Sequence, residues 1–284
     1  MTAQALAIRP AGTDPVQLAA YSELLNAVFA TDKFSPAAVA WRYRDNPAGQ
    51  VVGADAWDGE RLAAHYVTCP LEARVEGKAV KGLLSLNTAT HPDYQGQGLF
   101  TKLAEAAYAQ GAAAGHAFVI GVANANSTPG FLKRLAFQHV GRLQAGLLGR
   151  LPRRLAATAV QYEGRWRDEL LAWRLANPAG RYAMARHKDV LGVWARTHLP
   201  FVQCGAFLPD EGQTICGRPG APLAATLFIG LEPRLELAAQ GFRPIPERLR
   251  PSPLNLIWRP LDASVPKTLD AGATALNFLD FDPY

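Results

Sequence analysis

The most constraining stretch of this 284-residue chain is a glycine loop held between two strongly patterned segments. Ala79–Thr90 reads as a strand, and Thr101 to Ala114 reads as a helix that Gly115 would stop. Only residues 91–100, HPDYQGQGLF, lie between them. Glycines let a backbone turn tightly and approach a ligand without a Cβ in the way. The N–H groups of such a loop and of the first helical turn converge on one point, where the helix dipole adds positive potential. That geometry suits a pyrophosphate, with the Thr101 hydroxyl as an added donor. A glycine turn that merely joins strand to helix is the plain alternative.

The flanks give this loop a setting. Asp14-Pro15 and Ser35-Pro36 each offer an N-cap followed by a first-turn proline, so two helices open the chain, the second ending at Asn46-Pro47. Strand-like runs Val51–Trp57, Arg61–Arg74 and Ala79–Thr90 are separated by Asp58-Gly59 and Glu76-Gly77, both hairpin signals, and Pro70 predicts a bend or bulge in the middle run. After the loop and its helix, Ala117–Val122 reads as a buried strand. The Asn124–Gly130 segment, a short helix at Phe131–Leu135 and another strand follow. The predicted order is ααβββ-loop-αβαβ.

A weak internal repeat extends the reading to the whole chain. AWRYRDNPAG at 40–49 matches AWRLANPAG at 172–180 with one residue deleted, and each copy precedes a hairpin, at Asp58-Gly59 and at His187–Asp189. Two copies of one α/β fold, a mixed central sheet flanked by helices, account for the length better than one large domain. The expected boundaries are 1–148 and 159–284, with Gly149–Thr158 as linker. The repeated Trp41/Trp173 and Arg42/Arg174 read as core anchors and helix ends. The second half has no comparable glycine loop. Gly217–Gly220 has glycines, but its proline lacks an amide donor and no helix clearly follows.

Charge and composition exclude several classes. Net charge is +5, yet residues 142–196 alone carry +7, with 11 basic and 4 acidic side chains. No run of four basic residues and no recognition motif suggests a nucleic-acid partner, so a local patch for an anionic small molecule is the milder reading. Cys69, Cys204 and Cys216 are odd in number and far apart, without a Cys/His cluster, so neither a metal site nor a disulfide framework is expected. No stretch of 18 apolar residues predicts a membrane helix, the N-terminus lacks a signal-peptide pattern, and a cytoplasmic setting is the default. No GxxxxGK[ST] string occurs, and Thr101 stands where a dinucleotide fold needs its third glycine.

Gln95-Gly96-Gln97-Gly98-Leu99-Phe100 resembles the pyrophosphate loop [R/Q]xxGx[G/A] of the GNAT acyltransferase superfamily, matching at Gln95 and Gly98 and departing at Phe100. The surrounding strings HPDYQGQGLFTKLAEAA and FVIGVANANSTPGFLKRLAF look like a branch with phenylalanine at that corner, linked to surface-sugar biosynthesis. The resemblance covers residues 35–142 and implies acyl-CoA, most simply acetyl-CoA, as co-substrate. Backbone groups of Ala89 and Thr90 would pair with the pantetheine arm. The amides of Gln95, Gly96, Gln97, Gly98, Leu99 and Phe100, with the Thr101 hydroxyl, would hold the pyrophosphate. Asn124, Asn126 and Ser127 would lie where the thioester enters, although Asn126 reads equally as a turn former.

Catalytic groups are thinner. Many GNAT enzymes carry a glutamate on the strand before the loop, but Leu83–Thr90 has no carboxylate and Asn87 stands where one is expected. The usual thiolate-protonating tyrosine would fall at Leu132. His65, Tyr66, His91 and the pair Asp280/Asp282 remain. A strand histidine also serves as an ordinary core residue, and on a strand the two aspartates would share a face or form a solvated tail. Direct attack on the thioester, with water relaying protons, asks little of side chains. The resemblance therefore implies an N-acyltransferase acting on a small amine, such as an amino sugar or its nucleotide conjugate, with the second half a degenerate copy. A non-catalytic acyl-CoA sensor and a Fem-type aminoacyl transferase are the alternatives.

Overall fold

A computed structural model describes residues 6–215, 225–250 and 252–281. An N-terminal strand β1 (Ala7–Pro10), which has no clear sequence signal, precedes helices α1 (Pro15–Phe29) and α2 (Pro36–Tyr43). Asp14 caps α1 by accepting the amides of Val16 and Gln17 at 3.0 Å, and Ser35 caps α2 through Ala38. Strands β2 (Val52–Asp58), β3 (Arg61–Val75) and β4 (Lys78–Thr90) form a meander. Its second turn, Glu76-Gly77, has φ of +51° and +78°, matching the twist of the flanking strands. Helix α3 (Leu99–Ala113), β5 (Phe118–Ala123), α4 (Thr128–Arg134), β6 (Gln138–Arg142) and β7 (Gln144–Leu148) follow. The remainder comprises β8 (Tyr162–Gly164), α5 (Asp168–Leu175), β9 (Tyr182–His187), β10 (Val190–Arg196), β11 (Val202–Pro209), β12 (Ala225–Leu231), β13 (Arg243–Pro244), β14 (Asn255–Pro260), β15 (Thr274–Asn277) and α6 (Phe278–Phe281). The Gly217–Gly220 stretch and the residues Cys216 and Asp282 lie outside the described residues.

The architecture is mixed α/β, with one large mixed sheet flanked by helices. In its first part the order is β2-β3-β4-β5-β14-β6, antiparallel throughout except for the parallel β4–β5 pair. In its second part the order β9-β10-β11-β12-β7-β13 repeats this pattern, with β11–β12 the parallel pair. The pairing crosses the 148/159 boundary in both directions. β7 pairs with β12, and β14 inserts between β5 and β6. β8 and β15 bridge the two parts, β8 against β3 and β15 against β12. Cutting the chain at either end of Gly149–Thr158 would strip a strand from each part.

Both parallel pairs come apart. β4 and β5 are in register only from Leu83↔Val119 to Ser85↔Gly121, and β11 and β12 only from Val202↔Ala225 to Gly205↔Phe228. The second fork is closed by the chain itself. Gly230 pairs with Gln144 of β7 and with Asn277 of β15, so β15 lies on the β11 side of β12. Phe278 and Leu279 of α6 continue from there, fully buried. The first fork stays open.

Pro70 does not bend its strand. Register with β4 is continuous from Val67 to Val75, and the irregularity falls between His65 and Val67. β2 pairs with β3 no further than Thr68, and β8 begins at Ala73, so the edge facing away from β4 is free of strands at Pro70. The missing N–H lies on that edge. The Pro70 carbonyl there accepts from Asn46 Nδ2 at 2.8 Å.

Candidate active site

The site begins at the irregularity in β4. Asn87 and Thr88 stand opposite the single residue Tyr66, and Asn87 has φ of +49°. This is a bulge with its odd residue in the left-handed region, which asparagine tolerates better than most side chains. The bulge falls just past Ser85, where β4 loses β5 as a partner, so its exposed edge lines a cavity of about 570 Å³. Ser85, Asn87, Phe100, Asn126 and Phe281 are among its walls. A second cavity of about 270 Å³ shares Lys33, Leu86, Asn87 and Phe281 with it and is closed by Trp41, Arg42 and Asn177. The second cavity therefore draws on both parts of the chain.

The loop behind the first cavity has the expected form. Gly96 and Gly98 have φ of +78° and +71°, and a Cβ at either would meet nothing within 4 Å. Glycine is needed there for its conformation, not for room. The amides of Gly96, Gln97, Gly98, Leu99, Phe100 and Thr101 find no acceptor among the described residues, and Gly98 caps α3 without a side chain. Six donors at the positive end of a fifteen-residue helix form a ready anion site. Gln95 and Gln97 are exposed, whereas the Leu99 side chain is buried in the core. The Thr101 hydroxyl is buried without a partner, so the loop's donors are its backbone. Phe100 stands edge-on to Tyr66 and to Phe131, ring centroids 5.9 and 5.2 Å away. Gly130 faces it, and a Cβ there would lie 3.0 Å from the phenylalanine ring.

The other expected residues make the following contacts. Ala89 and Thr90 pair with His65 and Ala64. Asn124 Oδ1 accepts the Ser127 amide at 2.9 Å and lies 3.1 Å from the Ser127 hydroxyl, which ties both to the start of α4. Asn126 has no hydrogen-bond partner among the described residues and faces the cavity. His65 is buried, 2.6 Å from Asp55 and 3.2 Å from the Tyr43 hydroxyl, and touches neither cavity. Tyr66 is also buried, but its hydroxyl reaches Ser85 Oγ at 2.8 Å and Tyr108 Oη at 2.5 Å. Burial pushes Tyr66 up to about 12. His91 bonds Arg61 and the Asp93 amide at the outer side of the loop.

Asp280 departs from expectation. Its segment is the helix α6, so alternate residues do not share a face. Asp280 accepts from Trp166 Nε1 at 3.3 Å and the Asn277 amide at 2.8 Å, in a small cavity also lined by Arg174. Burial raises its carboxyl to about 6. Its neighbour Phe281, rather than Asp280, lines both cavities of the site.

The basic segment does not line the site either. Arg165 and Arg167 pair with Glu72, Arg186 pairs with Asp210, and buried Arg174 lies 4.7 Å from the Trp173 ring centroid. The cations at the cavities are Lys33 and Arg42. Sequence patterning misses Lys33, Tyr43, Ser85 and Phe281. For Tyr43 a signal exists, since it lies inside the repeated AWRYRDNPAG string.

An open fork beside a bulged strand, next to a loop whose amides have no acceptor among the described residues, is an arrangement able to hold an extended, anionic acyl carrier. Residues 8–140 match the family model described as acetyltransferase (GNAT) domain. That match supports N-acetyltransferase activity for this part of the chain. The chain is similar in fold to the GCN5-related N-acetyltransferase from Kribbella flavida (TM-score 0.60, 12% identity, 90% of this chain and 72% of that one). It is also similar to the GCN5-related N-acetyltransferase from Anabaena variabilis (TM-score 0.58, 8%, 90% and 73%) and to Eis1 from Mycobacterium abscessus (TM-score 0.56, 11%, 90% and 74%). The shared fold therefore spans both parts of the chain. No curated protein matches it. Among the described residues no group of His, Cys, Asp and Glu is placed to hold a metal, and no helix is long and apolar enough to cross a membrane.

Proposed function

We propose that the protein transfers an acetyl group from acetyl-CoA to a small, anionic primary amine such as an amino sugar or its nucleotide conjugate. One observation carries this reading: the six amides of Gly96–Thr101 have no acceptor among the described residues, and Phe100 of this loop lines the same cavity as Ser85–Thr88 of β4. The pyrophosphate binds the amides of Gly96–Thr101, pantetheine lies along the β4 edge past Ser85, and the thioester enters the fork near Asn126. The amine comes from the second cavity and meets the thioester at Asn87, the β4 residue whose side chain is tied to the α2 wall. Its lone pair adds to the carbonyl carbon, the C–S bond breaks, and the ammonium proton leaves through water. Ser85, backed by Tyr66, is the hydroxyl nearest the fork for the departing thiolate.

Lys33 and Arg42 line the acceptor cavity, and no described lining residue is a carboxylate. That balance favours an acceptor bearing phosphate or another anion. The same strand pattern in the second part of the sheet, its fork filled by β15 and α6, supports a duplicated second half that has given up the cofactor and retains a wall of the acceptor cavity.

Acetyl-CoA at about 100 times its Kd should stabilise the protein by about 2.7 kcal/mol, several degrees in a thermal shift. Gly98→Arg should abolish the shift. Free thiol release with a panel of amino sugars and their phosphates then reads the acceptor. Absence of a shift in both proteins overturns the reading. A shift without turnover on any amine would instead point to an acyl-CoA sensor.

A further inference from the structure

Four side chains form an unbroken hydrogen-bond chain from the core to the cavity wall. Asp55 Oδ1 lies 2.6 Å from His65 Nδ1, His65 Nε2 lies 3.2 Å from Tyr43 Oη, and Asn87 Nδ2 donates to Tyr43 Oη at 3.2 Å. Asp55, His65 and Tyr43 are each 0% exposed, and only Asn87 reaches the cavities. Behind Asp55, Tyr21 donates to Oδ2 at 2.6 Å and itself accepts the Gly12 amide at 3.1 Å. The Tyr21 ring also stacks on His65 at 4.1 Å. Four elements, α1, α2, β2 and β4, thus converge on one histidine.

The chain has a direction because its ends differ. An ionised carboxylate only accepts, so His65 Nδ1 must carry a proton, and a neutral ring then has a lone pair at Nε2. The Tyr43 hydroxyl gives its proton to that lone pair, leaving its oxygen to accept. Asn87 must answer with its amide N–H, and Oδ1 is thereby turned outward. Burial holds the Tyr43 and Tyr21 hydroxyls far above their ordinary range, so both remain protonated donors. An imidazolium would reverse the order: Nε2–H would donate to Tyr43, Tyr43 to Asn87 Oδ1, and the cavity would face an NH₂ group. The groups that bear on this state are Asp55 and Tyr21 on one side of the ring and Tyr43 on the other, with Arg42 and Cys69 acting on Tyr43.

We infer that buried Asp55, acting through His65 and Tyr43, makes Asn87 present its carbonyl oxygen to the cavity, where it binds an N–H of the acceptor amine and aims the lone pair at the thioester. Asp55, His65 and Tyr43 are positioning residues, and Asn87 is the contact that selects an N–H donor as acceptor. The inference rests on the proposed reaction for its substrate, but the polarity of the chain is a property of the free protein.

Two arms separate these. In ¹⁵N NMR of the free protein at neutral pH, His65 should be the neutral Nδ1–H tautomer with a bare Nε2. An Nε2–H tautomer or an imidazolium overturns the proposal whether or not any amine reacts. In kinetics with acetyl-CoA and the fastest-reacting amine of the panel, Tyr43→Phe and Asp55→Asn should raise KM for the amine about tenfold. KM for acetyl-CoA should stay within twofold. Asn87→Asp keeps an outward oxygen and should hold the amine KM within about twofold of the parent, whereas Asn87→Leu should raise it about tenfold. Tyr43→Phe with an unchanged amine KM also overturns the proposal, and its acetyl-CoA thermal shift shows that the variant is folded. Loss of that shift in the parent protein is instead a failure of the proposed function.

Discussion

Trp41 and Trp173 lie face to face where the two parts of the chain meet, ring centroids 4.5 Å apart and 16° from parallel. Each indole N–H donates to the other residue's backbone carbonyl at 3.0 Å. The repeated sequence string thus touches its own copy across a local two-fold relation. The following turns agree, since Asn46 and Asn177 accept the amides of Ala48 and Ala179 at 3.0 and 2.9 Å. Removing the buried Trp41 ring should cost about 3–5 kcal/mol of stability, and removing the half-buried Trp173 ring less. Because each ring is the other's partner, Trp41→Ala and Trp173→Ala together should cost less than their sum, as denaturant titration of the three variants would show.

Gly98 tests the loop's conformation apart from its ligand. Its φ of +71° is costly for any residue with a Cβ, yet the space beside it is open. Gly98→Ala should therefore lower stability by about 1 kcal/mol without a clash. A thermal melt without cofactor reads this directly, and an unchanged melting temperature would show that the loop relaxes.

Phe100 and Gly130 fit as a pair. A Cβ at Gly130 comes within 3.0 Å of the Phe100 ring, tighter than ordinary contact. Gly130→Ala should cost about 1–3 kcal/mol as an overpacked site. Adding Phe100→Ala should remove that penalty, giving a coupling of about 1–3 kcal/mol in a double-mutant cycle.

Asp280 predicts a pH-dependent gain. Its carboxyl is raised to about 6 from an ordinary 3.8 by burial, so the folded protein holds this proton more tightly than the unfolded chain. That proton's contribution to stability is complete below pH 3.8 and fades as pH rises through about 6, leaving a buried charge at neutral pH. Asp280→Asn should melt higher than the parent at pH 7.5, and the difference should shrink towards zero near pH 4. A lower melting temperature at pH 7.5 would show that the pull of Arg174 outweighs the burial.

Much of the fold is legible because its signals are local. Proline after a capping residue starts α1 and α2, and Glu76-Gly77 turns the hairpin, since each depends on a few adjacent residues. The free amides of Gly96–Thr101 follow likewise from a glycine loop running into a helix. Strand exchange leaves no such mark. A strand that pairs with β5 looks the same whether it comes from residue 140 or residue 257, because backbone hydrogen bonds carry no address. Pro70 misleads for a related reason: a local rule predicts a bend, and only the sheet's edges show that its missing N–H faces no partner.

The amino-acid sequence by itself determined that this protein would be α/β, would set a glycine loop before α3, and would repeat its tryptophan turn. Tertiary structure alone decided which fork stayed open, since Asn277 of β15 pairs with Gly230 of β12 from 47 residues further along the chain. It likewise decided that Asn87 meets Tyr43, His65 and Asp55, residues on three other elements. Propensity and turn chemistry act between neighbours. Pairing registers and hydrogen-bond chains are settled only when distant segments compete for the same edge or the same proton.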